Sequence, residues 1–379
     1  MKELGIYVHI PFCKQKCKYC DFVSFTNCEE KYENYFESII KEIENKRLDT
    51  SNTVVSTIYI GGGTPSIVPP KFIEQVINKI RSKFNISNEA EITIEINPGT
   101  VNKEKLQYYK NIGINRLSIG LQSADDRLLE LIGRIHTYTE FEEAYTLARS
   151  MGFKNINVDL MIGLPTQSLE DVKKTLESII EKNPEHISVY SLIVEEGTKM
   201  FDLISNNILQ LLDEKIEREM YWFVKNTLEK NGYFQYEISN FSKKGYESHH
   251  NMNCWKQMEY IGYGVAAHSY FNNKRFSNIN NIVEYIKNCE ADNIEKNIIL
   301  NEEQDKTEQM KEYMLLGLRK IEGVNIEAFK NKFNENSIEI FKCEIDKLIN
   351  ENLIENVDGY IRLTSKGLDL ANQVWMEFI

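Results

Sequence analysis

Three cysteines packed into the eight residues CKQKCKYC constrain this 379-residue chain more than any other feature of it. Cys13, Cys17 and Cys20 stand in a Cys-x-x-x-Cys-x-x-Cys pattern, so a single loop brings three thiol groups together. Thiolates favour zinc or iron-sulfur chemistry. A closed structural zinc site usually takes four ligands, commonly from two paired Cys-x-x-Cys knuckles, and the sequence has no second knuckle. The spacing suits three irons of a cubane, whose fourth iron would then lack a cysteine. The remaining cysteines, Cys28, Cys254, Cys289 and Cys343, are scattered. An odd total of seven fits a reduced compartment and a metal site better than a disulfide framework.

The cysteine loop follows the first of six β-rich runs: GIYVHI, STIYIG, EITIEI, NRLSIGL, NINVDLMIG and HISVYSLIV. Apolar residues recur at helical spacing between them, over Tyr32 to Ile43, Phe72 to Phe84, Phe141 to Met151 and Val172 to Ile180. Such alternation predicts an α/β fold with a parallel sheet covered by helices, either open and doubly wound or closed like a barrel. In both, functional groups gather beyond the carboxyl ends of the strands. The cysteine cluster, Gly61-Gly62-Gly63-Thr64-Pro65, Glu95-Ile96-Asn97-Pro98, Gln122, and Asp159 near Gly163-Leu164-Pro165 all run off strand ends and line one rim. The glycine run lets backbone approach a ligand closely, although a glycine turn by itself is weak evidence and single rim charges are by default surface ion pairs.

Beyond a helix expected from Asp213 to Asn231 lies SHHNMNCWKQMEYIGYGVAAHSYF, which has no clean period and reads as a functional loop. A linker is expected around Asp292 to Asp305. Helices in EYMLLGLRK, NIEAFKNKF and EIFKCEIDKLINENL then precede a hairpin, LIENVDGYIRLT, with Asp358-Gly359 as its turn, and a last helix; this order is similar to a winged-helix module. The predicted organisation is residues 1–235 as barrel, 236–300 as connection and 301–379 as C-terminal domain. With 42% hydrophobic residues the chain can build one large core and a smaller second one. A net charge of −12 argues against broad nucleic-acid binding. No run approaches the roughly 20 apolar residues of a membrane span, and the start lacks a signal peptide's pattern, so a cytoplasmic location is expected.

The cysteine spacing, with aromatic Tyr19 before the last cysteine, is the signature of the radical S-adenosylmethionine superfamily. There, the free iron of a 4Fe-4S cluster is chelated by the amino and carboxylate groups of S-adenosylmethionine, and an electron from the cluster can cleave a carbon-sulfur bond. Through YVHIPFCKQKCKYCDFVSF, GGGTP, IEINPGT, RLSIGLQS, Gly133-Arg134-Ile135-His136, NVDLMIGLPTQ, HHNMNCW and the C-terminal module, the chain resembles the oxygen-independent coproporphyrinogen III oxidase group, and within it the HemW heme chaperones. The resemblance implies a partial (β/α)6 barrel with a C-terminal winged-helix-like domain. It places Tyr7, Gly62, Gly63, Thr64, Glu95, Gln122, Arg134 and Asp159 at positions that contact S-adenosylmethionine, with Ile193 a weaker candidate. The oxidases carry a further cysteine where this chain has Phe22, and an N-terminal extension; both departures point to the chaperones.

For heme, HHNMNCW resembles the chaperones' HNxxYW segment, with Cys254 in place of the usual tyrosine. His250 is the preferred ligand, His249 and Cys254 are substitutes, and Trp255 is suited to packing on a porphyrin face. Without the resemblance, adjacent histidines read as a solvent-facing loop. His9, His136 and His268 read as barrel or rim hydrogen-bonding groups and His186 as a surface residue at a strand start. The resemblance therefore implies a protein that binds heme and delivers it to apo-hemoproteins without coproporphyrinogen oxidase activity; the alternative is that oxidase, and radical modification of tRNA is disfavoured by the acidic balance. An electron donor, a homodimer and peripheral contact with membrane-bound clients are further implied partners. Anaerobic reconstitution should give about four irons and four sulfides per chain. Replacing Cys13, Cys17 or Cys20 by Ala should abolish the cluster and replacing Cys28, Cys289 or Cys343 should not, as iron and sulfide analysis would show.

Overall fold

The structure is a computed structural model that describes residues 1–379. Six parallel strands form its centre: β1 (Lys2–Ile10), β2 (Thr53–Gly62), β3 (Ile86–Ile96), β4 (Arg116–Gln122), β5 (Ile156–Ile162) and β6 (His186–Ser191). Each pairs with the next in chain order. With right-handed crossovers and no reversal of strand order, every connecting helix falls on the same side of the sheet, which makes a barrel wall and excludes a doubly wound sheet. The wall does not close on itself. The free edge of β1 takes β9 (Tyr260–Tyr263) in parallel, and that of β6 takes β8 (Asn240–Ser242), which is antiparallel to it and forms a hairpin with β7 (Phe234–Glu237). The observed fold is thus the expected partial (β/α)6 barrel.

Alternation along each strand explains both sides of this wall. Ile6, Val8 and Ile10 of β1, Ile58 and Ile60 of β2, Leu117 and Ile119 of β4, and Val158 and Leu160 of β5 belong to the main apolar core under the helices. The intervening positions are polar: Thr57 and Tyr59, Glu91 and Glu95, Arg116 and Ser118, Asn157 and Asp159, His186 and Ser188. They form the inner face. The helices Tyr32–Asn45, Pro70–Lys83, Tyr138–Ser150 and Leu169–Lys182 lie where the apolar spacing predicts, every end within three residues of the expected one. Capping boxes at Thr137/Glu140 and Ser168/Asp171 start the last two. Lys103–Asn111 is a further helix that the periodicity did not reveal.

Three expectations are corrected. The stretch 248–271 is no loop: it holds the helix His249–Trp255, strand β9 and strand β10 (His268–Phe271), with Ile261, Tyr263 and Val265 in the main core. Its period was hidden because its elements are short and its strands are covered on both sides. Asp292 to Asp305 is not a free linker but ends in β12 (Ile298–Glu303), an edge strand whose Ile299, Asn301, Glu302 and Glu303 are exposed and which pairs with β11 (Lys274–Asn278). Residues 236–300, expected as a connection, therefore extend the barrel sheet. The third is His186, which is fully buried rather than at the surface.

The C-terminal module has its own core around Met314, Phe329, Ile345 and Val374. Its three-stranded sheet contains the expected hairpin, with Asp358 and Gly359 both at positive φ as a two-residue turn requires. The module docks through Arg319, whose guanidinium lies 4.4 Å from the Trp255 ring and 4.8 Å from that of Trp375, and through a Trp222 Nε1 hydrogen bond to Asp369 of 2.8 Å. Fully buried Glu42 accepts from Lys46 Nζ at 2.9 Å, Asn278 Nδ2 at 2.7 Å, Tyr285 at 2.6 Å and the Gly264 amide at 2.9 Å. This one carboxylate ties the helix Tyr32–Asn45 to the added strands. Glu42→Ala strands the buried Lys46 ammonium and should cost about 3–5 kcal/mol, read as a lower urea midpoint, with Glu42→Gln costing less.

Candidate functional site

The cysteine loop is held over the carboxyl end of the barrel by backbone hydrogen bonds at both ends. Cys13 N donates to Phe25 O and Phe25 N to Pro11 O, while Lys18 N donates to Ile132 O and Met200 N to Lys18 O. Tyr19 packs against a small cluster built on Leu128, Ile132, Met161 and Met200, which anchors the loop from beneath. The conformation of Gly62, at φ +113°, lets the chain turn beside His9, whose Nδ1 would lie 2.5 Å from an added Cβ. A Cβ on Gly63 would lie 2.7 Å from Phe12 O and 3.0 Å from Cys13 Sγ. Only glycine permits this approach of the second strand end to the loop.

All three cysteines open on one cavity of about 430 Å³. The cavity brings together Tyr19, Gly62, Gly63, Thr64, Glu95, Gln122, Arg134, Asp159 and Ile193 from seven separate segments of chain. Of the candidate residues, Tyr7 and His250 lie outside its lining. Tyr7 bonds His9 Nδ1 at 2.9 Å and packs its ring on Tyr59, so it braces the inner face below the cavity lining. Asn97, Tyr59, Ser118 and Tyr190 line the cavity without having been singled out. The signal that would have found Tyr59, Ser118 and Tyr190 is the polar alternation within their strands.

The donor set suits a thiolate-bound group. Burial raises the Cys13 thiol and pushes that of Cys20 up to about 11, and each is raised further by the charge of Cys17. Thr64 Oγ1 lies 3.6 Å from Cys13 Sγ and Arg134 Nη1 lies 3.7 Å from Cys17 Sγ, so donors face two of the sulfurs. No three His, Cys, Asp or Glu side chains in the chain converge as the ligands of a single ion would. Sulfurs spread around a shared cavity fit a multi-iron cluster better than one zinc ion, which holds its sulfurs at about 2.3 Å. Cys13, Cys17 and Cys20 are the residues that would hold it.

Polar groups opposite the sulfurs are fixed in place. Arg134 Nη2 donates to Asn97 Oδ1 at 2.8 Å and Gly120 O at 2.6 Å, and Asn97 Nδ2 to Thr64 Oγ1 at 2.9 Å. Gln122 closes β4 at φ +74°, a strained conformation for a residue with a side chain and one that clusters at ligand sites. Glu95 accepts from Tyr59 at 2.9 Å and from the Gly62 amide at 3.1 Å. Asp159 accepts from Asn157 Nδ2 at 2.7 Å and Ser118 at 3.2 Å. Two half-buried carboxylates, a guanidinium and exposed backbone beside a thiol triad can bind a small zwitterionic or cationic ligand.

The HHNMNCW segment lies elsewhere. Its helix packs against the inner face of the barrel, where the His249 and His250 amides each donate to the Glu91 carboxylate at 3.2 Å. The His250 ring is buried, bonded through Nδ1 to Thr57 at 2.8 Å and stacked 5.2 Å from the ring of Tyr59. His249 is exposed. Burial pushes the Cys254 thiol up to about 11, so at neutral pH it is a thiol and a poor iron ligand.

Comparison with known proteins agrees with this architecture. Residues 7–179 match the family model of the radical SAM superfamily, and residues 304–370 that of the HemN C-terminal domain. The heme chaperone HemW of Lactococcus lactis is 36% identical over 100% of this chain and 98% of its own length. That of Bacillus subtilis is 36% identical over 98% of each. Among solved structures, coproporphyrinogen III oxidase (HemN) from Escherichia coli, a radical SAM enzyme, superposes with a TM-score of 0.85 at 22% identity, covering 100% of this chain and 90% of that one.

One property of the site is open to a direct check. Burial pushes the Glu95 carboxyl up from 4.5 to about 7, opposed by its hydrogen bond from Tyr59. Its folded value lies above the unfolded one, so its stabilising contribution is full below pH 4.5 and lost as pH rises through about 7. Between pH 5 and 8 the ligand-free protein should lose on the order of 1–3 kcal/mol more in urea unfolding than Glu95→Gln does.

Proposed function

The chain belongs to the HemW family of radical SAM proteins, and from that membership we propose that it binds heme and hands it to apo-hemoproteins. The observation that carries this reading is the match to heme chaperones along the whole chain, including the C-terminal module. Phe22 supports it: 62% exposed at the cavity, it stands where the oxidases resembled by this chain carry a further cysteine.

In this reading Cys13, Cys17 and Cys20 hold a 4Fe-4S cluster and the cavity takes S-adenosylmethionine. The cluster supplies an open iron and one-electron chemistry when bound. Arg134 places its positive charge beside Cys17 and steadies the reduced state, while Tyr19 and the loop around it exclude water from one side. Glu95 and Asp159 offer acceptors to a cationic amino-acid ligand, with Gly62 and Gly63 giving the room for it.

Heme belongs at the His249–Trp255 helix. His250 has one ring nitrogen fixed by Thr57, which sets the orientation of the other as a ligand. His249 offers the imidazole that is already at the surface. Cys254, kept protonated by burial, is set aside as a ligand in the resting protein.

Purified protein, reconstituted anaerobically, should bind heme stoichiometrically, transfer it to an apo-hemoprotein and leave coproporphyrinogen III unconverted. Conversion to protoporphyrinogen would establish the oxidase instead. His250→Ala should shift the Soret band or weaken heme binding about tenfold or more, as loss of one good ligand does. If the joint replacement of His249, His250 and Cys254 leaves affinity and spectrum unchanged, heme binds at another place.

A further inference from the structure

The inner face of the barrel contains an unbroken line of hydrogen bonds that starts at the cavity and ends at the HHNMNCW helix. Asp159 is its open end. Asn157 Nδ2 donates to Asp159 Oδ1 at 2.7 Å, and Asn157 Oδ1 lies 2.6 Å from His186 Nδ1. His186 Nε2 lies 2.7 Å from the Tyr236 hydroxyl, and the Ser248 amide donates to that same hydroxyl oxygen at 3.2 Å. Ser248 is the cap of the helix His249–Trp255, its side chain accepting from Asn251 N.

The two ends fix the direction of every bond between them. A backbone amide can only donate, so Tyr236 accepts from Ser248 and passes its own proton toward His186 Nε2. His186 then carries its proton on Nδ1 and donates to Asn157 Oδ1, which leaves the Asn157 amide group to donate to a carboxylate that can only accept. Burial keeps His186 neutral, as this pattern demands. Asn157, His186 and Ser248 are closed to solvent, so water does not reach the inner links, and Tyr236 is the half-buried member of the series. Donors aligned head to tail polarise one another, and a change in the terminal acceptor is felt along the series.

The receiving element is held in place by its tertiary contacts. Seven residues are too few for a helix to stand by itself in water, and this one is seated by its cap, by Glu91 at its first amides and by Thr57 at His250. A second connection reaches it from the same cavity through Glu95, the Tyr59 hydroxyl, and the stacking of Tyr59 on His250.

We infer that Asn157, His186 and Tyr236 are positioning residues through which a ligand contacting Asp159 sets the seating of the His249–Trp255 helix, and so the readiness of the candidate heme segment. The inference rests on the reading of the cavity as the S-adenosylmethionine site. A ligand that draws on the Asp159 carboxylate weakens it as an acceptor for Asn157, and each bond up to the Ser248 amide loosens in turn.

The test uses full-length, cluster-reconstituted protein and S-adenosylmethionine as the probe. Hydrogen exchange of the amides in residues 248–255 is measured by mass spectrometry, and binding is followed separately by the electron paramagnetic resonance spectrum of the reduced cluster. In the wild type the ligand should change exchange in this segment by at least about threefold. Tyr236→Phe, which removes the proton given to His186, should still show the perturbed cluster spectrum but lose most of the exchange response. Ser188→Ala, which removes a neighbour of Asn157 without breaking the line, should keep it. A perturbed spectrum with unchanged exchange in the wild type overturns the inference and leaves the cofactor reading standing, as does a full response in Tyr236→Phe. An unperturbed spectrum at saturating ligand overturns both.

Discussion

A barrel of this kind depends on how its inner face balances charge away from water. Glu91, Glu95 and Asp159 point inward from two strands, and Arg116, only 2% exposed, is the cation among them. Arg116 Nε has no hydrogen-bond partner, so its charge acts on the whole chamber rather than through one ion pair. It pulls the Glu95 and Asp159 carboxyls down while burial pushes them up, and it helps to keep His186 and His250 neutral. An apolar filling would be more stable, since buried charges are costly to desolvate. The polar filling keeps acceptors available on one side and neutral imidazoles on the other.

That division follows from strand alternation together with the open wall. Because β1 does not pair with β6, the edges recruit β9 on one side and β8 on the other, and the segment between them carries the His249–Trp255 helix to the inner face. A closed barrel would have filled this space with its own side chains. The opening is therefore what allows a second functional segment to lie close to the first without sharing its rim.

The rim was legible in the sequence because its residues sit where strands stop, and glycine, proline and cysteine mark such places by their own chemistry. Gly62, Glu95 and Gln122 lie at or next to strand ends and Cys13 just beyond one, while Asp159, in the middle of β5, was reached through the Gly163-Leu164-Pro165 turn that follows it. What escaped notice lies inside the strands. His186 looks like the first residue of a surface strand, yet it is buried because Asn157 and Tyr236 satisfy both ring nitrogens. Pairing across 29 and 50 residues leaves no local pattern. For the same reason β9, β10 and β12 were hidden: strands of four to six residues that are either covered on both sides or left at a polar edge show no clear period.

The Arg319 guanidinium, held between Trp255 and Trp375, joins the helix that carries the candidate heme residues to the C-terminal module. Trp222, the third and last tryptophan of the chain, bonds Asp369 across the same boundary. Every indole in the protein therefore lies at the seam between barrel and module. The intrinsic fluorescence of the molecule is in effect a built-in optical gauge of that seam, and neither core contributes an indole of its own to obscure it.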